Sequence, residues 1–95
     1  MRKIYLLVYS DSLGSREAIK KCLSSLESVV TWRYDMPNSF YIISEESANV
    51  ISHQIREYLG FNKGRFLVTE IPENRQGWLP KPTWYFIKNK LHSKE

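Results

Sequence analysis

Near the amino end run seven residues, Lys3-Ile4-Tyr5-Leu6-Leu7-Val8-Tyr9, whose side chains leave few options for the fold. They are rich in β-branched, aromatic and aliphatic types, the composition of a strand. Side chains alternate across a strand, so Ile4, Leu6 and Val8 share one face and Tyr5, Leu7 and Tyr9 the other. Both faces are apolar. Such a strand belongs near the middle of a sheet and needs cover on both sides.

The polar loop after it, Ser10 to Ser15, leads into a helix over residues 16–28. Ser15 is placed to cap it and Glu17 lies in the first turn, where the helix dipole favours an acid. Ala18, Cys22, Leu23 and Leu26 recur at helical spacing and predict the buried stripe; Arg16, Lys20, Lys21 and Ser24 take the other side. Residues 29–34 read as a second strand and 39–43 as a third, joined by the turn Asp35-Met36-Pro37-Asn38 into an antiparallel hairpin. Ser44-Glu45-Glu46 reads as a second helix start, with Ala48, Ile51, Ile55 and Leu59 inward and Gly60 as terminator. A fourth strand over 65–71 is again apolar on both faces, Phe66 and Val68 against Leu67 and Ile71. Residues 72–82 form a loop by their three prolines and one glycine. A last helix is expected over 83–91, with Trp84, Ile87 and Leu91 on one face, and residues 92–95 should fray.

This order predicts an α+β, ferredoxin-like βαββαβ domain: an antiparallel sheet, two helices on one face and an added C-terminal helix. At 95 residues the chain suits one domain, with core 1–71 and loop plus helix 72–95. Tyr5, Leu7 and Tyr9 are assigned to the face away from the two main helices, too large an apolar area to leave wet. Either the last helix folds over it or a second copy packs there, and a homodimer with some of both is expected.

Several stretches resemble, in similar order, a group of small bacterial proteins termed SinR-like. These are Met1 to Tyr9, Trp32-Arg33-Tyr34, Ser39 to Ile43, Ser44 to Ala48, and Gly77-Trp78-Leu79-Pro80 before a tryptophan-bearing helix. That group is similar in fold to the small dimeric subunit of the CRISPR spacer-integration complex and to virulence-associated protein D. In those relatives an aspartate ends the first strand and is credited with nuclease or metal-dependent activity. Here Ser10 follows Tyr9 and the aspartate is Asp11. A one-residue shift along an extended strand turns a side chain to the other face, so Asp11 stands in only if the strand bulges or ends at Ser10.

Two functional classes follow. The first is non-catalytic binding to nucleic acid or to a protein partner. Net charge is +4, and after Glu70 the chain carries Arg75, Lys81, Lys88, Lys90 and Lys94 against Glu73 and Glu95. Candidate phosphate contacts are Arg16, Lys20, Arg33, Arg75, Lys81 and Lys88, which would grip backbones without reading bases. The alternative is an endonuclease or toxin-like ribonuclease in which Asp11 from two copies holds Mg²⁺; no cofactor is otherwise expected. The basic-glycine-aromatic run of the RNA-recognition module is missing from the third strand, although exposed Tyr5 or Tyr9 would still be able to stack on a base. In the loop, Arg75 and Trp78 are either a contact surface or a plug, with Trp78 expected to fold down into the core.

Other classes are excluded or weak. His53 and His92 are isolated, and with one cysteine there is neither a disulfide framework nor a cysteine-based zinc site. Cys22 reads as a half-buried structural thiol. No glycine-rich loop cradles phosphate, and no nucleophile-elbow pattern occurs. No apolar run approaches the ~20 residues that span a bilayer, and no signal peptide precedes the first strand, so a cytoplasmic location and no membrane contact are expected.

Overall fold

A computed structural model describes residues 1–93; Lys94 and Glu95, the end of the expected fraying tail, lie outside the described residues. Four strands, β1 (Lys3–Tyr9), β2 (Val29–Arg33), β3 (Ser39–Ser44) and β4 (Phe66–Glu70), and three helices, α1 (Arg16–Ser25), α2 (Ala48–Leu59) and α3 (Lys81–Asn89), follow in the order β1-α1-β2-β3-α2-β4-α3. The sheet is antiparallel throughout, in the order β2-β3-β1-β4. The doubly apolar β1 is therefore an inner strand, as its composition requires.

The two faces are the reverse of the assignment made from sequence. Tyr5, Leu7 and Tyr9 lie in the main core with Phe40 and Ile42, against Ile19, Cys22 and Leu23 of α1 and Ile51 and Ile55 of α2. Ile4, Tyr41 and Ile43 form a second core with Phe86 and Ile87 of α3. With both faces of β1 apolar, alternation carries no sign that says which receives the helices. Tyr5 and Tyr9 are thus buried and not free to stack on a base. Tyr5 Oη instead donates to the Glu46 carbonyl at 2.6 Å.

Boundaries differ where local chemistry competes. Ser15 caps α1 as expected, accepting from the Ala18 N–H, but the helix stops three residues early at Ser25 and buries Ile19 in place of Ala18. α2 starts at Ser47, not Ser44, with the Ser47 hydroxyl accepting from the Val50 N–H. Ser44 is consumed as the last residue of β3, donating to the Ser28 carbonyl while accepting from the Glu46 N–H. α3 begins two residues before the expected start, with Pro82 in its first turn, where a missing N–H costs nothing. Its buried residues are Thr83, Phe86 and Ile87, while Leu91 is exposed. His92 does not hang free. Its ring lies 4.8 Å from that of Phe86, and Nε2 is 2.9 Å from Thr31 Oγ1.

α3 covers only part of the second face. Val8 is 45% exposed and its β4 partner Leu67 62%, with half-buried Leu6 and Ile71 beside them. Trp78 is 91% exposed, against the expected core plug. Leu79, the next residue, packs on the α3 core instead. No helix among the described residues is long and apolar enough to cross a membrane.

Burial sets the chemistry of the lone cysteine. Cys22 is fully enclosed, and desolvation pushes its thiol from an ordinary value of 9.0 up to about 11. At neutral pH it should resist thiol alkylation in the folded protein and react at once in urea. In the window between 9.0 and about 11 the unfolded chain loses this proton while the folded chain keeps it. Stability is therefore unaffected by this group below that window and falls as pH rises through it. Denaturation curves across that range check the sign.

Candidate nucleic-acid interface

The six basic candidates separate into distinct settings. Arg16 and Lys20 lie one helical turn apart on α1 and converge on β2 and the residue after it. The Arg16 guanidinium carbon is 4.4 Å from the centroid of the Tyr34 ring. Lys20 Nζ is 5.4 Å from that ring and 5.8 Å from the Trp32 ring. Both distances fall within cation–π range. Trp32 and Tyr34 stack at 6.3 Å and 22°, and each meets Phe40 edge-on at 5.5 and 5.3 Å. The Trp32 indole N–H donates to Ser24 Oγ at 3.0 Å. A groove of about 620 Å³ opens beside this wall, lined by Glu17, Ala18, Lys20, Lys21, Ser24 and Trp32. Glu17 pairs with Lys20 at 3.4 Å, but its side chain is 80% exposed, so the pair is weak, and with Lys21 the groove lining keeps an excess of positive charge.

Arg75 and Lys88 line, with Trp84, a smaller groove of about 360 Å³ that also contains Glu73 and Gln76. Arg75 is partly committed, donating to the Pro72 carbonyl at 3.0 Å with Glu73 at 4.0 Å. Lys81 stands exposed at the start of α3.

Arg33 has a structural role. It points under α3, and its Nε donates to Thr83 Oγ1 at 2.8 Å. That hydroxyl donates to Asp35 Oδ2 at 2.6 Å, and Tyr41 Oη donates to Asp35 Oδ1 at 3.0 Å. Burial first, then the hydrogen bond and charge of Asp35, push the Tyr41 phenol well above its ordinary range; Arg33 opposes this. The relay pins α3 to the β2–β3 hairpin. Thr83→Val keeps the shape and removes the hydroxyl, leaving Arg33 Nε and Asp35 Oδ2 without these bonds. The expected loss is about 1–3 kcal/mol in urea denaturation.

Asp11 begins a 3-10 turn (Asp11–Leu13), one residue beyond the Ser10 that follows the strand. Its Oδ1 accepts from Asn38 Nδ2 at 2.8 Å, and the same amide donates to the Tyr9 carbonyl at 3.0 Å. Asn38 sits at φ 56°, a left-handed conformation that asparagine tolerates better than most. Ser10 Oγ accepts from the Arg65 N–H at 3.0 Å. Asp11 thus ties β1 to the hairpin turn. Among the described residues no group of three or more His, Cys, Asp or Glu stands together to hold a metal ion. Within one chain this donor set does not fit Mg²⁺, which needs several oxygen ligands in near-octahedral array.

The aromatic part of the α1–β2 wall was not singled out from sequence. Trp32 and Tyr34 at alternate positions of one strand were a signal for a shared face, but nothing local says that α1 basic residues lie over them. Comparison with known protein families, curated proteins and solved structures finds no match to this chain.

Proposed function

We propose that this chain acts as a ferredoxin-like homodimer that binds nucleic acid through phosphate contacts, without catalysis. The observation that carries the reading is the convergence of Arg16 and Lys20 on the Tyr34 ring, with Lys20 and Lys21 lining the adjacent α1–β2 groove. The Tyr34 ring holds the Arg16 guanidinium at 4.4 Å, so less side-chain entropy is lost when that cation meets a phosphate. The strand order β2-β3-β1-β4 supports the ferredoxin-like description. The exposed Val8–Leu67 pair, beside the open edge of β4, supports pairing with a second copy.

Fluorescence anisotropy of labelled DNA and RNA, titrated at low and physiological salt, tests the function. Binding should weaken with salt, and Arg16→Glu with Lys20→Glu should reduce the salt slope by about 1 for each phosphate that is no longer neutralised. Arg33→Gln should leave that slope unchanged. Absence of binding at low salt would overturn the reading and turn attention to a protein partner.

A further inference from the structure

We infer that the α1–β2 groove takes a single strand, with one unpaired base stacked on Trp32 and the flanking phosphates held by Lys20 and Lys21. This rests on the nucleic-acid reading above and narrows it to a strand type and a stacking residue. Trp32 is half-buried and firmly seated. Phe40 supports it edge-on from the core, Tyr34 lies alongside, and Ser24 holds its indole N–H. The ring still lines a groove of about 620 Å³, at a point where the small Ala18 leaves room. Pre-positioned aromatic rings suit base stacking because no rotamer freedom remains to be lost.

The cations are arranged to yield the ring. Lys20 Nζ, at 5.8 Å from the Trp32 centroid, lies near the outer limit of a useful cation–π contact. It can move to a phosphate when a base occupies the ring face. Lys21 is exposed on the same groove with no ion-pair partner among the described residues. β2 has no strand beyond it, so the groove runs along an open sheet edge and a strand can enter from the side. Bases within a duplex present their faces to each other, whereas an unpaired base has a free π-face. That distinguishes this groove from a surface that binds phosphates alone.

The test compares oligothymidylate, oligouridylate and an abasic deoxyribose-phosphate strand of equal length and label, by anisotropy at fixed salt. The abasic strand carries the same phosphates without bases. The base-bearing strands should bind about tenfold more tightly, the lower-middle of the range for stacking one base. A preference in either the DNA or the RNA arm supports the slot. Equal affinity of abasic and base-bearing strands, with salt-sensitive binding to all, overturns the slot and leaves the phosphate reading standing. No binding to any strand at low salt overturns both. Trp32→Leu, checked for folding by thermal melt, should lose the preference for bases; a folded variant that keeps it overturns the assignment to Trp32. If that variant does not fold, the abasic comparison on the native protein decides.

Discussion

Phe86→Ala is expected to be among the most damaging single substitutions in this protein. Phe86 is the largest fully buried side chain that α3 contributes to the second core, where it packs with Ile4, Tyr41, Ile43 and Ile87. Removing a buried phenyl ring forfeits its transfer free energy and leaves a cavity, together about 3–5 kcal/mol. Small domains have only about 5–15 kcal/mol of stability in total. The melting temperature should fall by roughly 15 °C or more, at about 4–8 °C for each kcal/mol in a domain of this size. The ring also packs against His92, so the tail should loosen with the helix. Hydrogen exchange should show α3 losing protection ahead of β1 and β3. A destabilisation below about 1 kcal/mol, the range of a surface change, would mean that α3 adds little to the fold.

The second large effect comes from adding one carbon. A Cβ built on Gly64 would stand 2.4 Å from the Leu13 nitrogen and 2.7 Å from its Cα. Both are backbone atoms of the 3-10 turn that follows β1, so no side chain can swing aside. Gly64→Ala must push the β4 approach away from that turn, straining the Ser10–Arg65 bonds at 2.9 and 3.0 Å. Overpacking of this kind costs about 1–3 kcal/mol, and the backbone-on-backbone contact puts it at the upper end. Gly77 is the control. Its added Cβ would meet nothing within 4 Å, and Gly77→Ala should stay within about 0.5 kcal/mol. Similar melting temperatures for the two variants would refute the close approach. If Asp11 displacement accompanies the Gly64 change, the signal of Asn38, its hydrogen-bond partner, should shift in an amide spectrum.

Much of the molecule was legible along the chain because it depends on neighbours in sequence. The doubly apolar β1, the Ser15 cap, the hairpin at Pro37 and the helical spacing of Ile51 and Ile55 are local patterns, and each produced the expected element. Helix ends were less legible. Ser44 and Ser47 are equally good caps by composition, and Ser44 was claimed by the strand through its bond to Ser28, a residue far away in the chain. Trp78 looked like a plug because tryptophan buries well, yet Leu79 took the apolar contact, a choice made by loop geometry.

The candidate site divides the same way. Helical spacing alone brings Arg16, Lys20 and Lys21 to the polar side of one helix, and strand alternation alone puts Trp32 and Tyr34 on one face. Those groupings are written in the chain. Alternation likewise turns Arg33 to the opposite face, but that the two sets meet, and that Arg33 finds Thr83 there, emerges only when the elements pack. So does the side of the sheet that receives α1 and α2, which β1 with its two apolar faces leaves open. One cause is common to all three. Periodicity specifies which side chains travel together, but which surfaces come into contact depends on how the whole set of apolar faces is buried at once.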